Sequence, residues 1–204
     1  MTYAVKELVV RDVAPVDTDE ISRLVAAAMQ DGAVARWLEP DTAVRHRGSA
    51  DYFTVFAEHA AKYGEVYATA EGDTGHLTGV ALWFPLTVAM PTPVDYDRRM
   101  RQIAGDAYDR ACLLDAALES EHPRGPHHYL AFLAVRPDQQ GQGLGSALLD
   151  RHHRRIDAAG VPAYLEANEP RNRDLYLRHG YRVRSVIDLP DGPPIWTMWR
   201  TPMG

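Results

Sequence analysis

The sequence predicts an α/β protein with a mixed central β-sheet of about six to seven strands and helices on both faces. Short runs of apolar and β-branched residues recur along the chain between glycines and prolines, which is typical of strands. Longer segments between these runs carry apolar residues at helical spacing. The elements follow the order hairpin, strand–helix–strand and second hairpin, which combines antiparallel and parallel connections. We expect residues 1–204 to form one domain, because this length suffices for one hydrophobic core and is short for two.

The N-terminal half begins with a predicted strand and two predicted helices. Residues 7–11 contain a short apolar run and are predicted as a strand. Asp17 and Thr18 are candidate caps of a helix that runs to about Gln30, because apolar side chains recur there at helical spacing. A second helix is predicted over residues 43–62. Its inner face is expected to carry Tyr52, Phe53, Phe56 and Ala60.

A hairpin and a helical insertion are predicted next. Residues 65–70 and 77–84 are β-rich runs separated by a glycine-containing loop, which predicts a hairpin. At about residues 91–120 the apolar residues return to helical spacing behind two prolines, and we predict a helical insertion between strands. Residues 129–135 are almost wholly apolar, which is the pattern of a central strand buried on both faces.

The C-terminal third is predicted to alternate helices and strands. A helix is predicted over residues 144–158 with Gly160 just past its end, and a shorter one over residues 171–179, which Gly180 ends. A turn rich in proline, at residues 190–194, joins the last two strands. The strands of this region are predicted at residues 163–167, 181–189 and 195–200.

The composition is that of an ordinary soluble globular protein, with 46% hydrophobic and 25% charged residues. The net charge of −6 disfavours a general nucleic-acid binder, which needs a basic face, and is compatible with a cationic substrate. No apolar run is long enough to cross a bilayer, and the first residues lack the apolar core of a signal peptide. We therefore expect a cytoplasmic monomer or homodimer without membrane or nucleic-acid partners.

The single cysteine and a pair of adjacent histidines are interpreted as structural residues. Cys112 allows no intramolecular disulfide, and its apolar neighbours in a predicted helix indicate a buried thiol. His152 and His153 are flanked by arginines, which favours a solvated helix face. No pair of possible ligands has the helical spacing of a metal site, and no metal is expected.

Residues 133–146 are the part of the sequence that indicates a chemistry most directly. An apolar strand leads into a glycine-rich turn and then into a helix, whose first amides have no partners within the helix. Such a helix start attracts anions, and glycines let a phosphate approach the backbone closely. The glycine spacing matches neither the nucleoside-triphosphate loop nor the dinucleotide fingerprint.

The run Gln140-Gly141-Gln142-Gly143-Leu144-Gly145 resembles motif A of the GNAT (GCN5-related N-acetyltransferase) family. The resemblance implies the GNAT fold with a splayed cofactor cleft, and an acetyl-CoA-dependent N-acetyltransferase. It also implies that the amides of the turn hold the CoA diphosphate and that the preceding strand pairs with the pantetheine arm. The cofactor-binding residues expected on this basis are Leu133, Ala134, Val135, Gln140, Gly141, Gln142, Gly143, Leu144, Gly145, Ser146 and Asn172.

A second segment, residues 164–181, is similar to motif B of the same family. That motif is a strand followed by an asparagine, a Leu-Tyr pair and a glycine, which stand here as Asn172, Leu175, Tyr176 and Gly180. The resemblance implies that Asn172 contacts the cofactor arm and that Tyr176 lies beside the thioester sulfur. A phenol with a pKa near 10 can donate a proton to a leaving thiolate at neutral pH. The alternative for Tyr176 is an aromatic residue that only fills a helix face.

The attacking amine must also lose a proton, and Glu166 is the first candidate base. It lies in the strand expected to separate from the cofactor strand and open the cleft, and a structural hydrogen-bonding role is the equal alternative. His127 and His128 are the other candidates. Adjacent residues at a strand start point to opposite sides, so at most one of these histidines can face the cleft.

The resemblance extends beyond the motifs to the puromycin N-acetyltransferase branch of the family, on residues 140–147, 159–163, 170–172 and 189–193. The N-terminal half diverges from that branch, so puromycin itself is not the expected acceptor. The helical insertion is placed to narrow the acceptor site, which favours a small-molecule amine, antibiotic-like or another amine metabolite, over a peptide. Residues that could line its cavity, or serve as plain core, are Trp37, Phe53, Trp83, Phe84, Tyr108 and Trp196. Two other functions stay open: a protein or peptide N-acetyltransferase, and a non-catalytic acyl-CoA-binding sensor.

Overall fold

The computed structural model describes residues 10–12, 17–72 and 75–203. Its described strands form one mixed seven-stranded sheet in the order β1-β2-β3-β4-β5-β7-β6. This confirms the predicted α/β fold class and the mixed sheet. The strands are β1 (Val10–Asp12), β2 (Glu65–Ala70), β3 (Leu77–Leu86), β4 (His127–Val135), β5 (Ala163–Ala167), β6 (Arg182–Asp188) and β7 (Pro194–Arg200).

Helices cover both faces of this sheet, as predicted. On one face α1 and α3 pack against β3 side chains such as Val80, Leu82 and Phe84. On the other face α6 and α7 pack against Trp83 and Leu165. The helices are α1 (Thr18–Met29), α2 (Ala33–Leu38), α3 (Thr42–Tyr63), α4 (Tyr96–Ala104), α5 (Tyr108–Glu121), α6 (Leu144–Ala158) and α7 (Pro170–Arg178), with 3-10 turns at Gly105–Ala107 and Pro137–Gln139.

The central strands pair in a way that opens a gap in the sheet. β4 pairs with β3 antiparallel along its length, but its parallel pairing with β5 is confined to His128 with Ala163 and Tyr129 with Tyr164. β5 continues instead along β7, to which it pairs as far as Ala167. From Leu130 onward, β4 therefore has no partner on its β5 side among the described strands, which gives the splayed cleft that the resemblance implies.

Most predicted elements are confirmed to within one or two residues, and two differences have clear physical causes. The strand predicted at residues 7–11 falls largely outside the described residues. The predicted insertion contains two helices, because Gly105 has φ 50° and ends α4 before the chain turns into α5. The inner face of α3 buries Phe53 and Ala60 as expected, and Tyr52 and Phe56 are partly buried there.

Helix α2 was missed because its N-terminus is capped from a distant part of the chain. No side chain at its N-cap, Gly32, caps the helix. The amide of Ala33 instead donates to the carboxylate of Glu169 at 2.8 Å, across 136 residues of sequence. By contrast, α1 carries its own cap, since the Asp17 carboxylate accepts from the amide of Glu20 at 2.9 Å. A local cap is visible in a sequence, and a distant one is not.

Three burial predictions are wrong. Cys112 is exposed, because α5 buries Leu114 and turns the cysteine outward. His152 and His153 are buried, since their positions on α6 face the sheet and only the arginines beside them reach solvent. β4 is buried on both faces only in part, because the gap beside β5 leaves Leu133 and Val135 half-buried. No helix in the described ranges is long and apolar enough to span a bilayer.

Candidate active site

The glycine turn connects the end of β4 to the first turn of α6. Gly141 and Gly143 have φ of 78° and 84°, a backbone region that residues with a side chain rarely adopt. Gly143 is also the N-cap of α6 and offers no capping side chain. The amides of residues 141–146 have no hydrogen-bond acceptor among the described residues. The turn therefore presents a row of free N–H donors at the positive end of a helix.

The turn is tied to both walls of the gap by Gln140. Its side-chain amide donates to the carbonyl of Val135 at 3.1 Å, and its oxygen accepts from the guanidinium of Arg171 at 2.6 Å. Gln140 thus links the end of β4 to the start of α7. This fixes the position of the free amides relative to the cleft.

A cleft of about 620 Å³ lies between β4, the turn, the start of α6 and α7. It brings together all of the residues predicted to bind the cofactor except Gln142, which is exposed. Arg171 and Arg178 also line the cleft, and no carboxylate does among its described lining residues. Sequence reasoning missed these arginines, although their places on the predicted helix were available as a signal. Ala28 and Met29 of α1 also line the cleft, and they lie too far from the glycine turn in sequence to be predicted as lining residues.

Gly145 belongs to the wall of this cleft. A Cβ built at Gly145 would lie 3.6 Å from the side chain of Leu175 and 3.8 Å from that of Leu133. Since these two residues stand on the opposite sides of the cleft, a larger side chain at this position would extend between β4 and α7. The glycine keeps the space between these elements open.

Tyr176 and Asn172 reach the cleft from α7. Tyr176 is 7% exposed, and burial raises the pKa of its hydroxyl above the ordinary value, so the phenol stays protonated at neutral pH. Its ring packs 5.8 Å from that of Tyr181. The Asn172 side chain donates to Asn168 at 3.4 Å, which anchors it at the start of the helix.

Glu166 lies on the other face of β5 from Tyr176. Alternation along the strand places Leu165 and Ala167 against α6 and α7, and Glu166 with Tyr164 on the opposite side. The Glu166 side chain is 8% exposed, and its Oε1 is buried without a hydrogen-bond partner among the described residues. The hydroxyl oxygen of Tyr164 is likewise buried without a hydrogen-bond partner among the described residues. Burial, and then Glu166, raise the pKa of the Tyr164 hydroxyl, so the two groups interact without a hydrogen bond of ordinary geometry. A ligand or water would complete their hydrogen bonding.

The surroundings of Glu166 are aromatic and include a histidine that sequence reasoning missed. His122 Nδ1 lies 3.8 Å from Glu166 Oε1, and its ring packs 4.9 Å from those of Tyr129 and Tyr164. Burial, and then the Glu166 charge, raise the pKa of the Tyr129 hydroxyl. His122 follows α5 at the end of the helical insertion, so no strand or helix pattern indicates its position.

The two histidines at the start of β4 point to opposite faces, as expected. His127 lies on the Glu166 side, where its Nε2 is 3.2 Å from His122 Nε2. His128 lies on the α6 side, where its Nδ1 is 3.1 Å from His152 Nε2. Burial lowers the pKa of His128 to about 4, so this ring is neutral at pH 7. Of the pair, only His127 is close to Glu166, and it reaches the carboxylate through His122.

Two groups of histidines and carboxylates are compact enough to be compared with metal sites. They are Glu65, His128 and His152, and Asp150, His153 and His179. In the first group the two histidines bond each other, and His152 stacks on Trp83 at 3.9 Å. In the second group His153 Nε2 is engaged by the Tyr181 hydroxyl at 3.1 Å. We assign neither group as a metal site, because each contains a histidine nitrogen already bonded within the protein, although His152 Nδ1 has no hydrogen-bond partner among the described residues. The expectation of no metal stays a prediction.

The aromatic residues proposed from the sequence as cavity lining are placed elsewhere. Phe53, Trp83 and Phe84 are buried in the two cores. The Trp37 indole donates to the Pro190 carbonyl, and the guanidinium of Arg101 lies over the Tyr108 ring. Trp196 packs at the edge of the core beneath Arg173. The aromatic rings near Glu166 are those of Tyr129, Tyr164 and His122 instead.

Comparison with known proteins bears directly on this geometry. A family model described as an acetyltransferase (GNAT) domain matches residues 107–183. A solved structure described as histone acetyltransferase HPA2 and related acetyltransferase, from Corynebacterium glutamicum, is 27% identical with a TM-score of 0.73, covering 97% of both chains.

Two more distant structures share the fold. Arylalkylamine N-acetyltransferase 2 from Aedes aegypti is 10% identical with a TM-score of 0.69, over 97% of this chain and 100% of that one. The polyamine N-acetyltransferase of Drosophila melanogaster is 15% identical with a TM-score of 0.65, over 96% of this chain and 100% of that one. The family model spans the glycine turn and both strands that flank the cleft, so the resemblance to the GNAT acetyltransferases found in the sequence is confirmed over residues 107–183, and the fold of the chain is that of these enzymes.

Proposed function

We propose that the protein transfers the acetyl group of acetyl-CoA to a primary amine of a small molecule, by direct attack in a ternary complex. The observation that carries this proposal is the row of free amides at residues 141–146, beside Arg171 and Arg178, at the mouth of the gap between β4 and β5. Free amides, a helix N-terminus and two guanidinium groups together favour a diphosphate. The gap between β4 and β5 would hold the pantetheine arm and the thioester of the cofactor.

We propose one direction for the cofactor in this cleft. Its diphosphate would accept hydrogen bonds from the amides of the turn. Its pantetheine arm would run along the edge of β4 at Leu133, Ala134 and Val135, where the strand has no partner on that side. Asn172 would hold the arm from α7. The thioester end would then lie deeper in the gap, toward Tyr176.

Tyr176 would supply the proton that the leaving thiolate needs. As the amine nitrogen bonds to the acetyl carbon, the C–S bond breaks and the sulfur receives the proton of the phenol. Burial keeps this proton on the hydroxyl at neutral pH, because it raises the pKa of Tyr176. A protonated donor is therefore available at each turnover. The fold supports this role because Tyr176 lines the cleft and is otherwise buried.

Glu166 would receive the amine on the opposite side of β5. Its Oε1, which has no hydrogen-bond partner among the described residues, can accept a hydrogen bond from an ammonium group. It can then take the proton that the amine loses, directly or through water. The rings of Tyr129, Tyr164 and His122 favour an organic cation, because aromatic faces attract cations. A net charge of −6 favours the same kind of substrate.

A protein or peptide substrate is the second candidate, favoured by the description of the C. glutamicum structure. The helical insertion weighs against it. Helix α4 packs against α3, α5 packs against β6, and the Tyr96 hydroxyl of α4 donates to the Asp115 carboxylate of α5 at 2.9 Å. A non-catalytic acyl-CoA sensor is the third. The puromycin N-acetyltransferase branch, the cytoplasmic location and the monomeric or homodimeric state stay predictions.

Release of free thiol from acetyl-CoA tests the proposal. A panel of arylalkylamines, polyamines, amino sugars and lysine-containing peptides is added in turn, and thiol release that depends on a small amine supports it. Release with peptides alone would favour the second candidate. Tight binding of acetyl-CoA by calorimetry, without thiol release from any amine, would favour the sensor.

A further inference from the structure

Ser146 is a cleft residue whose side chain contacts a histidine beyond the cleft. It occupies the first turn of α6 and lines the cavity. Its Oγ lies 3.0 Å from Nε2 of His179, and Nδ1 of the same ring lies 3.1 Å from Oδ1 of Asp150. Asp150 stands four residues after Ser146, on the same face of α6. The three side chains form a continuous hydrogen-bonded row from the exposed carboxylate to the cleft, which we call the Asp150–His179–Ser146 relay.

The position of His179 is fixed by contacts outside the relay. Its carbonyl accepts from the Arg200 guanidinium at 3.0 Å, and its amide donates to the Tyr176 carbonyl at 3.0 Å. Arg200 is itself 1% exposed and makes two 2.6 Å bonds to the carboxylate of Asp157. The backbone of His179 is therefore held in place whether or not Ser146 contacts the ring.

The direction of the hydrogen bonds depends on the protonation of the ring. A carboxylate only accepts, so Nδ1 of His179 carries a proton toward Asp150 in either state. When the ring is neutral, Nε2 has no proton and accepts the hydroxyl proton of Ser146, which leaves lone pairs of Oγ toward the cleft. When the ring is protonated, Nε2 donates to Oγ, and the Ser146 hydroxyl is free to donate into the cleft. An anion in the cleft is stabilised by the second arrangement and not by the first.

We propose that the Asp150–His179–Ser146 relay takes up a proton when a CoA phosphate binds, and so turns the Ser146 hydroxyl into a phosphate donor. This inference rests on the proposed cofactor site. His179 is a positioning residue in it, since it acts on the ligand through Ser146.

The charged groups around His179 give the sign of the effect. In the free protein, burial lowers the pKa of His179, Asp150 opposes the shift, and Arg178 and Arg200 add to it. The His153 ring is 6.0 Å away, and burial lowers the pKa of His153 to about 3, so that ring is neutral. His179 is thus neutral at pH 7 without a ligand, and a bound phosphate raises its pKa. Ligand affinity should therefore rise as the pH falls toward 6, by at most tenfold per pH unit for one proton.

Calorimetry with dephospho-CoA tests the proposal. This ligand keeps the diphosphate and lacks the phosphate monoester, a group that titrates near pH 6 and would obscure the result. Binding enthalpies at pH 7 in two buffers of different ionisation enthalpy give the number of protons taken up. We expect the wild-type protein to take up a fraction of one proton.

Matched variants locate this proton. Ser146→Ala keeps the His179–Asp150 pair and breaks the link to the cleft, so uptake should disappear and Kd should rise about three- to tenfold. His179→Gln should also abolish the uptake. His46→Gln is the control, because His46 also contacts a carboxylate, Asp31, but lies outside the cleft. Its proton uptake should equal that of the wild type.

Two results would overturn the relay: tight binding by the wild type without proton uptake, or uptake that persists in Ser146→Ala. If the wild-type protein bound neither dephospho-CoA nor acetyl-CoA, the cofactor site itself would be wrong, and the relay with it. The first two results leave that site intact, so the two failures can be told apart.

Discussion

The two faces of the sheet are built in different ways, and each supplies a different part of the chemistry. The cofactor cleft lies mainly on the α6–α7 face. It consists of one continuous segment, β4 through the turn into α6, together with α7 and the end of α1 at Ala28 and Met29. On the opposite face, the surroundings of Glu166 come from α5, its following loop, β4 and β5. In the proposed function, the first side would recognise an invariant cofactor through the backbone, and the second would recognise an acceptor through side chains. Changes to the two sides should therefore have separable effects on binding and rate.

Removal of the Tyr176 hydroxyl is expected to lower turnover more than any other change considered. Tyr176→Phe takes away the proposed general acid and should lower turnover by roughly 10² to 10⁴. Since the interaction would be made mainly in the transition state, kcat and kcat/KM should fall together, with acetyl-CoA affinity unchanged. Steady-state kinetics and calorimetry measure both quantities.

Tyr63→Phe, at the exposed end of α3, is the matched control and should behave as wild type. If Tyr176→Phe turned over an identified acceptor at the wild-type rate, with chemistry shown to be rate-limiting, Tyr176 would be packing. The proton would then come from water or from the substrate ammonium.

The Glu166→Gln variant tests the face of the sheet opposite α6 and α7. The change keeps the size of the side chain and removes its charge, so we expect turnover to fall about 10²-fold. The KM for the amine should rise while acetyl-CoA affinity stays constant, because Glu166 lies across β5 from the cofactor cleft. Kinetics with the best amine of the panel give these values, and Glu119→Gln on the exposed side of α5 is the control.

An unchanged rate in Glu166→Gln, with the fold intact, would remove Glu166 from the reaction. Loss of folding would support the structural alternative that the sequence left open. His122→Asn then becomes the next variant, since His122 is the titratable side chain beside Oε1.

These two sides also differ in how far the sequence predicts them. The turn was predicted residue by residue, because its chemistry depends on glycine positions and helix polarity that are local in sequence. His122 and the row from Asp150 to Ser146 could not be predicted, since they form only when α5, α6 and α7 pack on the sheet. The exposure of His152 and His153 was predicted wrongly for the same reason. The flanking arginines indicated a solvent-facing helix surface, but packing against the sheet decides which side of α6 is buried.

Gly145→Glu should act on cofactor binding alone. The substitution places bulk and negative charge between β4 and α7, where a Cβ already approaches Leu175 at 3.6 Å. We expect acetyl-CoA affinity to fall at least tenfold, about 1.4 kcal/mol. Gly125→Glu adds the same charge ahead of β4, where a Cβ meets no atom within 4 Å, and should bind normally. Equal calorimetric affinities for the two folded variants would argue against a cofactor in this cleft.

The smallest expected effects compare a local helix cap with a distant one. Asp17→Ala removes the cap that α1 carries itself, and Glu169→Ala removes the one that β5 and α7 supply to α2. Each cap is worth about 1 kcal/mol, which corresponds to roughly 2–4 °C in Tm for a chain of this size. Asp17→Ala should lower Tm and leave acetyl-CoA affinity unchanged.

Glu169→Ala should do more, because Glu169 is also the N-cap residue of α7, and its carbonyl accepts from the amides of Asn172 and Arg173 at 3.0 Å. Without the carboxylate that ties this corner to α2, the start of α7 loses a fixed point, and the Arg171 and Asn172 side chains that line the cleft lose some of their order. A few-fold loss of acetyl-CoA affinity should therefore accompany the drop in Tm. If the two variants lost Tm equally and both bound acetyl-CoA as wild type, the distant cap would serve the fold of α2 alone and the cleft would not depend on it.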